Sequence, residues 1–197
     1  MSRVDVMLKR LFDVVLALVG LLATWPLILL CSIVASRDTR ASGFFSQMRI
    51  GQGGRPFYVY KIRTMRDING TSVTTSMDAR ITRSGALFRR YKLDELPQLW
   101  NVLTGDMSFV GPRPDVPGFA DLLEGDDRVL LQLRPGITGP ASLKYRDEES
   151  LLSAQSDPER YNREVIWPDK VAINIAYLER YSLLKDIRIL IQTVTGT

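Results

Sequence analysis

The 197-residue chain contains no histidine, which removes imidazole as general base, proton shuttle or metal ligand, and with it the usual serine and zinc hydrolase arrangements. Carboxylate chemistry is left as the default. There is one cysteine, Cys31, so neither an internal disulfide nor a multi-thiolate metal centre can form. Inside its apolar run the thiol reads as a small hydrophobe. Internal repeats, low-complexity tracts and basic modules interleaved with stacking aromatics are also missing, which argues against a nucleic-acid partner. The stretch from Gly51 to Gly54 lacks the lysine and the strand-loop-helix setting of a P-loop, so no nucleotide role is assigned to it.

What is present points to anions. Basic residues number 26 against 22 acidic ones, for a formal charge of +4 and a pI near 9.3. Such an excess suits nucleotide or lipid phosphate without choosing between them. The length predicts one domain, or a small domain with an appendage.

From Val14 to Ala35 the chain carries no charge and is long enough for a membrane helix. Asp13 at its start, its length, and Ser36-Arg37-Asp38 after it disfavour a cleaved signal peptide. Lys9 and Arg10 precede the run while Arg37 and Arg40 follow it, so both flanks claim the cytoplasmic side. Pro26 near the middle deletes one intrahelical hydrogen bond and bends the helix, and the Thr24 hydroxyl is at hand for a freed backbone group. From these residues a re-entrant hairpin and a kinked single span stand equal.

Beyond Arg40 the composition is that of a soluble domain. Phe57–Met65 reads as a strand after the glycine turn, with Lys61 and Arg63 on one face, either a phosphate clamp or simply a wet side. Residues 66 to 79 form a polar loop able to move over a site. A helix opens at Arg80 and runs through Arg90, and residues 115 to 133 read as another. Arg134-Pro135-Gly136-Ile137-Thr138-Gly139-Pro140 makes a stiff turn, and a polar helix follows from Asp157 to Ile175. The tail, with Arg180, Lys185 and Arg188 among aliphatic residues, suits a membrane surface or packing on the core equally.

Leu93-Asp94-Glu95-Leu96-Pro97-Gln98-Leu99-Trp100 is the most informative stretch. Pro97 fits the first turn of a helix and Gly105 its C-terminal stop, which places Asp94 at or near the N-cap. There the helix dipole favours an ionised carboxylate and attracts phosphate, although ordinary capping accounts for an Asp-Glu pair as well. Adjacent carboxylates cannot flank a glycosidic bond as an acid and base ~5 to 9.5 Å apart do. A nucleophile beside a metal-organising partner suits adjacency better.

Taken in order, Lys9-Arg10-Leu11-Phe12-Asp13, the proline-containing apolar run, Lys61-Ile62-Arg63-Thr64-Met65, Asp94-Glu95-Leu96-Pro97-Gln98-Leu99, Gly105-Asp106-Met107-Ser108, Val110-Gly111-Pro112-Arg113-Pro114 and Arg134-Pro135-Gly136-Ile137-Thr138-Gly139 carry a resemblance. The chain resembles the small monotopic phosphoglycosyl transferases, the bacterial sugar transferases that start glycans on polyprenol phosphate. The resemblance implies a compact, mainly helical α+β fold with a proline-broken re-entrant membrane helix and amphipathic interface helices. Residues 1–40 would be the membrane helix with its flanks, and 41–197 a cytosolic catalytic domain with an interface-associated C-terminal helix. It implies a location on the cytoplasmic face of the bacterial inner membrane, among phospholipid.

The same resemblance implies transfer of a phosphosugar from a UDP-sugar to polyprenol phosphate, in the undecaprenyl form, with UMP released through an aspartyl intermediate. Asp94 matches the nucleophile, and Glu95 would organise Mg²⁺ with it or handle the acceptor's proton. Arg113 and Arg89 match basic positions near the phosphates, with Lys61, Arg63 and Arg80 as further candidates, and Thr24 and Pro26 mark the break in the membrane helix. Two departures stand out: Trp25 precedes the proline where the family often has serine, and Pro140-Ala141-Ser142 replaces the common Leu-Ala-Gln. Two rivals remain: a membrane-anchored anion-binding module without activity, and a glycosyltransferase that releases UDP.

Overall fold

The computed structural model describes residues 1–66 and 80–196. The loop expected over 66 to 79 therefore lies, apart from Arg66, outside the described residues.

Helix α1 spans Arg3–Thr39. Ser2 caps it, accepting from the Asp5 N–H while Asp5 accepts from the Ser2 N–H, and Arg40 in the left-handed region (φ 57°) ends it. Pro26 lies inside this helix, and the backbone stays helical on both sides of it. The interruption expected at Thr24 and Pro26 thus takes no form of a break in helical backbone. The Thr24 hydroxyl also does not serve the carbonyl that Pro26 strands at Leu22. It donates to Gly20 O at 2.7 Å, because a threonine hydroxyl reaches the carbonyl four residues back.

One face of α1 is buried at helical spacing through Lys9, Asp13, Ala17, Ile28, Cys31 and Ala35. The opposite stripe of Leu11, Val15, Leu18, Leu22, Trp25 and Leu29 is exposed. Both ends meet the rest of the chain. Near the start, Arg10 donates to the carbonyls of Val102 and Leu103 at 2.6 and 2.8 Å. Near the end, Asp38 accepts from the Ser84 hydroxyl and N–H. In between, a Cβ on Gly20 would lie 3.1 Å from Leu99, so the helices touch backbone to side chain.

An antiparallel hairpin follows, β1 (Phe44–Ile50) and β2 (Pro56–Ile62), with Phe45 opposite Lys61 and Gln47 opposite Val59. Helix α2 (Arg83–Arg90) starts three residues later than expected. Ile81 bridges Met65 in a short ladder, and Thr82 then caps the helix by accepting from the Gly85 N–H. Helix α3 (Gln98–Thr104) leads to β3 (Ser108–Val110), which pairs in parallel with β4 (Gly136–Thr138).

Between β3 and β4 the helix expected over 115 to 133 is absent. The segment forms 3₁₀ turns at Ala120–Leu122 and Gly125–Gln132 instead. Pro117 and the positive-φ glycines 118 (102°) and 125 (55°) deny it a helical start.

Short helices α4 (Pro140–Lys144), α5 (Glu148–Ser153) and α6 (Pro158–Tyr161) precede α7 (Trp167–Glu179) and α8 (Leu183–Thr195). The single helix expected from Asp157 to Ile175 is divided by a π-helical stretch, Asn162–Ile166. Pro168 has no N–H to offer the residue-164 carbonyl, which accounts for the change of register. Helix α8 packs on the core as one reading of the tail expects and leaves an apolar stripe outside. It buries Asp186 and Ile189 on the core and exposes Leu184, Ile187, Ile191 and Val194 at helical spacing.

The largest apolar cluster joins Ile50, Val110, Leu131, Val171, Leu178 and Ile189. In two smaller ones α1 itself is a wall: Ile28, Cys31 and Ala35 pack with Ile62 and Phe88, and Ala17 packs with Val59, Val102 and Met107.

Candidate active site around Asp94 and Glu95

Asp94 stands in a 3₁₀ turn, Leu93–Glu95, entered through Lys92 in the left-handed region (φ 56°). The N-cap position expected for it belongs to Pro97, whose φ of −63° is already helical. The cause is local: Glu95 N bonds Lys92 O and Leu96 N bonds Leu93 O, so the chain coils tightly before α3 begins. Gly105 ends α3 at φ 97°, as its place in the sequence predicts.

This turn buries the Asp94 side chain, and its Oδ1 has no hydrogen-bond partner among the described residues. Burial pushes the Asp94 carboxyl upward, and the neighbouring Glu95 adds to that, while Lys61, Lys92 and Arg89 pull the other way. Glu95 is treated differently. Its Oε1 lies 3.5 Å from both Lys61 Nζ and Arg113 Nη2. Burial works to raise it, but Arg113, Lys61 and Lys92 together outweigh that and hold Glu95 below the ordinary range. One adjacent carboxyl is therefore held firmly ionised and the other is left raised, with a bare oxygen.

Arg113 is set in place by glycine contacts with no room for a methyl group. A Cβ on Gly136 would fall 2.2 Å from Gly111 N, one on Gly139 2.2 Å from Gly111 O, and one on Gly111 2.3 Å from Arg134 O. Gly111 N bonds Thr138 O at 2.9 Å and Gly136 N bonds Pro112 O at 2.7 Å. The Val110–Pro114 and Arg134–Gly139 motifs thus meet as one parallel ladder, with Arg113 between two prolines at its end.

The other sequence candidates divide. Lys61 on β2 reaches Glu95, and burial lowers its ammonium. Arg89, in the last turn of α2, donates to Thr64 Oγ1 at 3.1 Å, and its charge is felt by Asp94. Arg63 lies one residue past β2, where alternation no longer holds; it donates to Ser42 O and stacks 5.4 Å from the Phe45 ring. Arg80 precedes α2, its carbonyl accepting from Arg66 N. No described contact joins either of these to Asp94 or Glu95.

Two side chains beside the pair carry no role from sequence. Arg49, from β1, and Gln98, at the start of α3, line a narrow crevice with Lys61, Arg113, Val59 and Ile137. Gln98 lies within the quoted motif, but strand periodicity gives no hint that Arg49 lines the same crevice.

The sequence profile described as bacterial sugar transferase matches residues 4–197. The chain belongs to the bacterial sugar transferase family. It is similar to the UDP-glucose:undecaprenyl-phosphate glucose-1-phosphate transferase of Xanthomonas campestris pv. campestris, at 38% identity over 196 residues. That match covers 95% of this chain and 38% of the relative. The uncharacterized sugar transferase EpsL of Bacillus subtilis (strain 168) is 36% identical, with 95% of this chain and 85% of the relative covered. The putative undecaprenyl-phosphate N-acetylgalactosaminyl 1-phosphate transferase of the same organism is 42% identical over 122 residues, which is 60% of this chain and 68% of that protein.

In this sugar transferase a divalent cation fits the Asp94–Glu95 pair. Mg²⁺ takes one or two carboxylates and fills its octahedron with phosphate oxygens and water. The partnerless Asp94 Oδ1 beside ionised Glu95 meets that need. Among the described residues no group of three acidic or thiol side chains offers an all-protein cage.

Proposed function

We propose that this sugar transferase moves a sugar 1-phosphate from a UDP-sugar to undecaprenyl phosphate, releasing UMP, through a covalent Asp94 intermediate. The observation that carries this reading is Asp94 Oδ1, buried and without a hydrogen-bond partner among the described residues, beside a basic crevice. In the first step an Asp94 oxygen bonds to the sugar-bearing phosphorus. The bond from that phosphorus to the bridging oxygen breaks, and its electron pair leaves with UMP. In the second step a phosphate oxygen of the polyprenol bonds to the same phosphorus, and the carboxylate departs with its electrons. No net proton is needed in either step.

Lys61 and Arg113 hold Glu95 ionised and offer positive charge to the diphosphate, Arg113 with the planar fork that pairs two phosphate oxygens. Asp94 and Glu95 would hold Mg²⁺, which neutralises diphosphate oxygens so that a carboxylate can approach them. Release of UMP, rather than UDP, from a panel of UDP-sugars tests the reading. Release of UDP would make the chain a glycosyltransferase, and turnover that survives Asp94→Asn would end the covalent mechanism.

The helix α1 enters and leaves the cytoplasmic leaflet of the inner membrane in this reading, with phospholipid against its exposed stripe. Support comes from its two ends, since Arg10 and Asp38 both bind the same cytosolic body while the face between them is apolar. In a Cys31→Ser background, Ser2→Cys and Ser42→Cys should both resist an impermeant thiol reagent outside right-side-out vesicles. Labelling of the Ser2→Cys protein alone would mean a true span.

A further inference from the structure

The crevice beside Glu95 gathers three cations, Arg49, Lys61 and Arg113, with Asp115 close to two of them. Arg49 donates only to neutral acceptors, Pro114 O at 3.3 Å and Gln47 Oε1 at 2.6 Å, and no carboxylate pairs with it among the described residues. Burial and then the nearby Arg113 lower the Arg49 guanidinium, with Asp115 pulling the other way, and Arg49 adds to the lowering that burial imposes on Lys61. Three cations in a half-enclosed space repel one another unless an anion joins them. Among the described residues Glu95 pairs with Lys61 and Arg113, both at 3.5 Å, while Asp115 acts on Arg49 and Arg113 through charge and forms no described ion pair with either.

Gln98, 4% exposed, lines the same crevice, and no hydrogen bond holds its side-chain amide among the described residues. An amide that faces a crevice in this way is free to bond a ligand there. Its NH₂ can donate to an oxyanion, and its position four residues after Asp94 puts it at the mouth of α3.

We infer that the Arg49–Gln98 side of the crevice is the subsite for the departing nucleotide phosphate, the one that leaves as UMP. Lys61 and Arg113, which share Glu95, face the phosphate that is attacked. The inference rests on the proposed phosphosugar transfer and assigns that reaction's leaving group. As the bridging P–O bond breaks, the electron pair arrives on the UMP phosphate, and a guanidinium fork and an amide N–H are placed to receive that charge.

The test separates the two phosphates by using UMP alone, which carries only the departing one. Binding of UMP to the full-length protein in detergent is measured by calorimetry, alongside KM and kcat for the UDP-sugar. Arg49→Met should weaken UMP at least tenfold and raise KM, Arg49→Lys should fall between, and Gln98→Leu should weaken UMP severalfold. A folded Arg49→Met protein that binds UMP within twofold of the parent overturns the assignment. If Arg49→Met fails to fold, Gln98→Leu with unchanged UMP affinity overturns it instead. A rise in KM with UMP affinity unchanged would place Arg49 on the attacked phosphate, which also overturns it. Should the parent bind UMP through Arg49 and yet release none from any UDP-sugar, the reaction is wrong while the subsite stands.

Discussion

At the start of α1, Lys9 reaches Asp186 at 2.5 Å, and Tyr177 donates to the other carboxylate oxygen at 2.6 Å. Both oxygens of that buried carboxylate are used, and Lys9 also lies 5.7 Å from the Tyr181 ring. Around Asp94 the same kinds of side chain gather, but an Asp94 oxygen has no hydrogen-bond partner among the described residues and the Arg49 guanidinium bonds only neutral acceptors. A closed cluster holds two elements together, here α1 and α8. An open one spends folding energy to keep groups ready for something the chain does not supply. Asp13 stands between the two: one oxygen accepts from Phe109 N at 3.1 Å, the other is bare, and burial pushes its carboxyl up.

The contrast is broken most sharply at Asp94. Asp94→Asn should cut UMP release by about a thousandfold or more while melting with the parent, because the open cluster serves chemistry rather than folding. A large fall in melting temperature would show the pair to be structural. In the closed cluster, Lys9→Met should cost about 3–5 kcal/mol of stability, since it leaves Asp186 buried and unpaired. Denaturant unfolding measures it, and adding Asp186→Leu should restore part of the loss. Stability unchanged in Lys9→Met would make the two clusters alike.

Arg113→Lys keeps the charge and loses the fork, so turnover should fall roughly tenfold with little change in stability; unchanged kinetics would remove Arg113 from the phosphate site. The smallest effect concerns pH. Asp115 lies among Arg49, Arg113, Lys170 and Glu148, and burial raises its carboxyl to about 7 despite those three cations. Below that pH it is neutral and leaves the crevice more positive; above it the carboxylate competes with the ligand. UMP affinity should therefore weaken severalfold as pH rises through about 7, and Asp115→Asn should flatten the trend relative to the parent.

How much of this was legible depends on the range of the interaction. Gly105 as the helix stop and the β2 strand followed from local chemistry, and Asp94, Glu95, Lys61 and Arg113 as one group followed from the family resemblance. The N-cap assignment failed because the αL residue Lys92 starts a tight turn early, and lysine gives no warning of a positive φ. The helix expected over 115 to 133 failed because its apolar spacing outweighed Pro117, Gly118 and Gly125 in the reading. Arg49 was invisible because its meaning comes from the β1–β2 pairing and from Pro114, 65 residues away. Lys9 and Asp186, 177 residues apart, were likewise beyond any local pattern.

The C-terminus of α3 is closed by Arg10, whose two nitrogens take the carbonyls of Val102 and Leu103, with Arg134 on Gly105 O beside it. The helix that follows the Asp94 turn is thus finished at its far end by a residue of α1. An N-terminal helix joined this way is not a tether that can be cut or traded. A soluble version lacking the first 40 residues would lose the cation on those carbonyls together with the Ala17 wall of the third cluster. A chimera carrying another protein's membrane segment would work only if an arginine, and small residues matching Ala17 and Gly20, arrived in the same helical phase.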